Sequence, residues 1–162
     1  MLLTVDQINN ILSFWFPNNT FNKFWFDENI EIDTFIFTNY KNLMNNIYDK
    51  ITTTLLEELA YNELLAIIIL FDQFSRNINR IESVDINKFT IMAKEISLLL
   101  IKKDIYNNSM NHITFILMPL RHLNIKEDYI LILDILDKLK NKDCIIFNKF
   151  KNQTIKRFNL FY

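Results

Sequence analysis

NELLAIIILFDQFSRNINR, Asn62 to Arg80, holds eight successive apolar residues from Leu64 to Phe71 and then breaks into Asp72-Gln73-Phe74-Ser75-Arg76-Asn77. A run with no polar face belongs on an element covered from every side, because any outward face would leave hydrocarbon in water. Its end then sets an acid, two amides and a base at the rim of the core, where desolvated polar groups persist only when paired. The reading is a central buried helix with one polar site at its tip.

Composition narrows the rest. At 162 residues, 50% hydrophobic and 23% charged, the chain reads as one globular domain over residues 1–162, apolar enough to fold without metal or disulfide. It contains no glycine, which excludes the phosphate-cradling loop, the dinucleotide fingerprint and the strained nucleophile turn, each of which needs positive φ or close backbone approach. Asparagine is left to close helices in the left-handed conformation. No apolar stretch approaches a membrane span and no signal-peptide core follows Met1, so the expectation is an intracellular, cytoplasmic protein away from membranes. Residues 1–137 carry 11 basic and 18 acidic side chains, and residues 138–162 carry 7 and 1. That cationic tail, from Lys138, Lys140 and Lys142 to Lys156 and Arg157, reads as a helix docked on the acidic body rather than a nucleic-acid contact.

Along the chain, Thr4-Val5-Asp6-Gln7 has the form of a capping box, and Pro17 ends the helix it opens. Phe21, Phe24, Trp25 and Phe26 read as a core plug. Asp33 is the expected cap of a helix to Lys50, Asn62 of the central helix and Ser83 of the one after it. Ile113–Met118 reads as a short helix stopped by Pro119, with further helices from Asn124 and from Asp143 to Phe158. The sum is an all-α chain, an irregular antiparallel bundle of about seven or eight helices.

Its chemistry centres on a few side chains. Asp72 and Arg76 stand four apart with the acid first, the order that favours an ion pair on one face, while Gln73 points elsewhere on the wheel. Arg76 and Asn77 facing a cleft would recognise a carboxylate or phosphate. His122 is the candidate proton-transfer residue. Ser75 has no base nearby in sequence, and with His112, His122 and the lone Cys144 there is no ready metal set, so neither metal nor cofactor is expected.

Three segments carry a resemblance: Ile11-Leu12-Ser13-Phe14-Trp15-Phe16 with Trp25-Phe26, then Leu70-Phe71-Asp72-Gln73-Phe74-Ser75-Arg76-Asn77, then Met118-Pro119-Leu120-Arg121-His122. In these the chain resembles the bacterial family called domain of unknown function 924, which implies an all-helical, TPR-like fold. Members usually close with Arg-Phe-Gly-Arg-Phe-Pro-His-Arg-Asn, where this chain has Arg157-Phe158-Asn159-Leu160-Phe161-Tyr162. If that segment completes a polar pocket, this chain keeps one wall of it. The pocket expected is Asp72, Gln73, Arg76, Asn77, His122 and Arg157. The leading functional expectation is then a non-catalytic module for protein binding or self-association. The alternative is a hydrolase-like small-molecule enzyme that holds an anionic ligand and uses His122.

Overall fold

The computed structural model describes residues 1–103, 105–139 and 144–162. The described helices are α1 (Val5–Trp15), α2 (Ile30–Lys50), α3 (Thr53–Glu58), α4 (Tyr61–Ile68), α5 (Ser75–Ile81), α6 (Ile86–Lys102), α7 (Met110–His122), α8 (Lys126–Lys138) and α9 (Ile145–Phe161). A π-helical turn, Ile69–Phe74, joins α4 to α5 with right-handed helical backbone at both junctions, so the three form one rod. Counted that way there are eight helices, and no strand occurs among the described residues.

The rod is central, as its sequence requires. Every residue from Leu64 to Phe71 is fully buried, with α1, α2, α6 and α7 packed around the rod. Each such aliphatic or aromatic side chain contributes about 1.5–3 kcal/mol by leaving water. Buried apolar side chains from α1 to α9 join one continuous cluster. Trp25 is part of it and half-buried Phe21 and Phe24 pack against it, whereas Phe26, expected in the same plug, is 42% exposed; the Trp25 indole donates to the Trp15 carbonyl at 2.8 Å.

Several helix boundaries differ from the expectation, each for a local reason. Thr4 and Gln7 do form the capping box. Asn29, not Asp33, caps α2, its side-chain oxygen taking the amides of Glu31 and Ile32. This leaves Asp33 buried inside the first turn. Asn62 is not a cap either: Ala60 precedes α4 without a side-chain bond, and buried Glu63 instead accepts from the backbone of Leu2 and Leu3. Asp85 takes the role expected of Ser83, accepting from the Lys88 amide. Asn124 adopts φ 53° after α7, as a glycine-free chain needs.

Pro119 does not stop its helix. It lies inside α7, where it removes the amide that would bond the Phe115 carbonyl, a loss of about 3 kcal/mol or more. Burial of every residue from Ile113 to Arg121 offsets that cost, and the helix runs on to deliver His122. The expected start of the last helix at Asp143, with Lys140 and Lys142 of the cationic tail, lies outside the described residues.

Candidate functional site

The tip of the rod presents Gln73, Arg76, Asn77 and Arg80, which recur at offsets of three, four and seven and so share one helix face. The last turn of α7 supplies Met118, Arg121 and His122 beside them. Aromatic rings of Trp15, Phe24, Trp25 and Phe26 complete a cleft of about 110 Å³. Asp72 lies at its base, fully buried. The π turn ends within this site, and such turns recur at functional positions.

Three side chains converge on the Asp72 carboxylate. His122 Nδ1 lies 2.9 Å from Oδ1 and 3.1 Å from Oδ2. Arg76 Nη2 donates at 3.4 Å and Gln73 Nε2 donates to Oδ2. Gln73 therefore turns into the site instead of away from the Asp72–Arg76 face. Burial alone would raise the Asp72 pKa, but the charge and hydrogen bond of His122, the Arg76 guanidinium and the Gln73 amide outweigh it and hold the carboxyl below its usual range. Burial pushes His122 down. Asp72 pulls it back up, Arg76 and Arg121 push it down again, and the net is below its ordinary value. An ionised Asp72 beside a neutral imidazole assigns the ring proton to Nδ1. His122 lines the cleft, and its other ring nitrogen, Nε2, has no hydrogen-bond partner among the described residues and is not a sealed orphan.

A second buried acid holds the face in place. Asp33 Oδ1 accepts from Asn77 Nδ2 at 2.7 Å and from Arg80 Nη1 at 2.9 Å. Asn77, expected to grip a ligand, thus has its side-chain amide engaged by Asp33. The sequence reading makes Asp33 a helix cap and passes over Arg80, although Arg80 stands at the i+4 position from Arg76, a spacing visible in the chain.

In sequence Arg121 is only one residue of the Met118–His122 motif, yet in the fold it is the site's most unusual charge. It is 4% exposed. Its Nη2 approaches the Met118 sulfur at 2.8 Å, its Nη1 reaches Gln153 Oε1 at 3.4 Å, and its guanidinium stacks on Phe150 at 4.5 Å. Burial, then repulsion from Arg157, lower its pKa to about 10 against the pull of Tyr129 and Asp72. No carboxylate pairs with it among the described residues, and its Nε and that of Arg76 are buried without a partner. Three guanidiniums, Arg76, Arg80 and Arg121, face two carboxylates, Asp72 and Asp33, so the site carries one unbalanced positive charge.

The remaining candidates lie apart. Arg157 is exposed and lines a separate groove on α9 with Gln153, Lys156 and Leu160, and no residue of α9 lines the cleft. Ser75 is fully buried and its hydroxyl donates to the Asp72 carbonyl at 3.4 Å. His112 meets the Tyr61 hydroxyl at 3.3 Å and packs on Phe16 at 4.7 Å, a structural placement. Among the described residues no group of three or more His, Cys, Asp or Glu side chains is set to hold a metal ion, and no helix is long and apolar enough to cross a membrane.

Acid should loosen this arrangement. His122 and His112 both have folded pKa values below 6.5, so as pH falls through 6.5 the unfolded chain takes up protons first and stability drops. Asp72 adds a second loss below 3.8. The melting temperature is expected to decline from pH 7 to pH 5, and less steeply once His122 is changed to Asn. A flat profile over that range would contradict the buried neutral imidazole.

No curated protein and no solved structure matches the chain. A family model does, over residues 11–161, a span from the first aromatic motif through the rod and His122 to the end of α9. The chain therefore belongs to the family described as bacterial protein of unknown function (DUF924).

Proposed function

We propose that the chain is a hydrolase-like small-molecule enzyme that grips one compact anionic group and uses His122 as proton acceptor. The observation that carries it is the 2.9 Å contact between His122 Nδ1 and a fully buried Asp72, which orients the ring and leaves Nε2 as the basic atom. In the reaction, Nε2 takes a proton from water as the water oxygen attacks a carbonyl or phosphoryl centre. The departing group then recovers that proton. Arg76 and Arg121 supply positive charge where the oxyanion develops. A volume of about 110 Å³, set against roughly 30 Å³ for one water, holds a carboxylate or phosphate head with the rest of the substrate outside.

The test is turnover of aryl esters and aryl phosphates with an anionic head group, comparing the parent protein with His122→Ala. Loss of that base is expected to lower kcat by about 10²–10⁴-fold. A variant as fast as the parent would remove His122 from the chemistry.

A second reading, a module that binds another protein, is favoured by a different place. Between α3 and α6 lies an open groove of about 350 Å³ with Leu56, Leu98 and Leu99 flanked by Glu57, Glu95 and one cation, Lys102, a net charge of about minus one. Paired helices of the TPR-like kind use such grooves, and a basic amphipathic helix would match its chemistry. Changing Glu57 and Glu95 to Lys should abolish binding of a Leu/Lys amphipathic peptide. Unchanged binding would discard the groove as the docking site.

A further inference from the structure

Arg121 stands between two depressions. It lines the cleft, and its Nη1 is 3.4 Å from Oε1 of Gln153, which lines the α9 groove with Lys156 and Arg157. Neither Lys156 nor Arg157 has a carboxylate partner among the described residues. A guanidinium that is 4% exposed, with a sealed Nε lacking any partner, is costly unless something anionic joins it. The neighbouring charge on Arg157 adds to that cost. Arg121 is eased only by the Phe150 ring, Gln153 and the more distant Tyr129 and Asp72, with no carboxylate in contact, whereas the equally buried Asp72 and Asp33 each have several donors. The cationic end of the chain thus meets the site through Arg121 and Gln153.

We propose that the ligand carries two acid groups, one seated in the cleft against Arg76 and Arg121 and the other in the adjoining α9 groove at Lys156 and Arg157. This rests on the cleft being the ligand site, as proposed above, and adds that the substrate class is an ester or phosphate ester that carries two acid groups. Joining two weakly held anions in one molecule makes the second contact intramolecular, so affinity rises well beyond either alone. Arg157 then returns to the binding machinery as the outer contact of the second group, although it does not line the cleft.

The test is calorimetric binding to the full chain of acetate and of a graded series from malonate to pimelate, with inorganic phosphate and alkyl bisphosphonates in parallel. The series avoids assuming the separation of the two groups. At least one dianion is expected to bind tenfold or more tightly than its monoanion. Lys156→Gln with Arg157→Gln, both exposed positions, should bring dianion affinity down to that of the monoanion; Arg76→Gln should weaken both. The series that shows the gain identifies the acid group. Equal affinity for mono- and dianions, or an advantage that survives the double change, would overturn the second subsite and leave the cleft reading standing. Failure of the parent protein to bind any of these anions would overturn both.

Discussion

Replacing Asp72 by Asn is expected to cost about 3 kcal/mol of stability and to lower turnover by about 10²–10⁴-fold. The carboxylate is fully buried and serves His122, Arg76 and Gln73 at once. Its removal leaves a guanidinium and an imidazole in a site built around a negative charge. The stability loss should sit at the low end of that for a broken buried pair, because the Arg76 side chain is 32% exposed and water can rehydrate it. Catalysis is affected through geometry: without an ionised acceptor, His122 loses the bond that fixes its tautomer. Urea denaturation at pH 7 reads the first effect and steady-state kinetics the second. Sign matters for the cause. Because the folded pKa of Asp72 is depressed, its contribution is complete above 3.8 and fades as pH falls through its lower folded value. The gap between parent and variant should therefore narrow in acid. A gap that persists unchanged would assign the loss to shape rather than charge.

The sequence disclosed this site unevenly. Leu64–Phe71 could be placed at the centre because hydrocarbon on every side of a helix admits one environment. The Asp72–Arg76 pair was legible from its spacing of four, whereas a pocket shared with His122 was implied only by the family resemblance, since nothing in spacing joins residues fifty apart. Asp33 was missed because caps were assigned by residue type: an aspartate just before an apolar stripe looks like an N-cap, and only packing shows Asn29 in that role with Asp33 turned inward to Asn77 and Arg80. Pro119 misled for a related reason. Local propensity ends the helix there, and long-range burial of Ile113–Arg121 overrides it. Arg121 was the hardest to read, since one arginine in sequence looks like any other. Its meaning comes from having no acid beside it once the chain is folded.

Phe74→Ala is expected to cost about 3–5 kcal/mol, a large fraction of the roughly 5–15 kcal/mol that holds a domain together. Phe74 closes the π turn and is fully buried, with ring centroids 4.8 Å from Tyr40, 5.6 Å from Trp15 and 6.0 Å from Phe14. One side chain thus joins the rod to α1 and α2, and Trp15 is also a wall of the cleft. Truncation opens a cavity under that wall, so substrate affinity should weaken along with stability. Ile91→Ala on α6 is the control: that side chain is 50% exposed, and its change should stay within about 0.5 kcal/mol. Phe74→Leu should recover most of the stability, because it refills volume without the ring, yet restore less of the affinity, because the edge contact with Trp15 is gone. Midpoints of urea unfolding for the three variants separate these effects. A Phe74→Ala cost no larger than that of Ile91→Ala would mean that the rod is not what the other helices are packed around, since truncating a side chain at the meeting point of three elements cannot then be distinguished from truncating one at the surface.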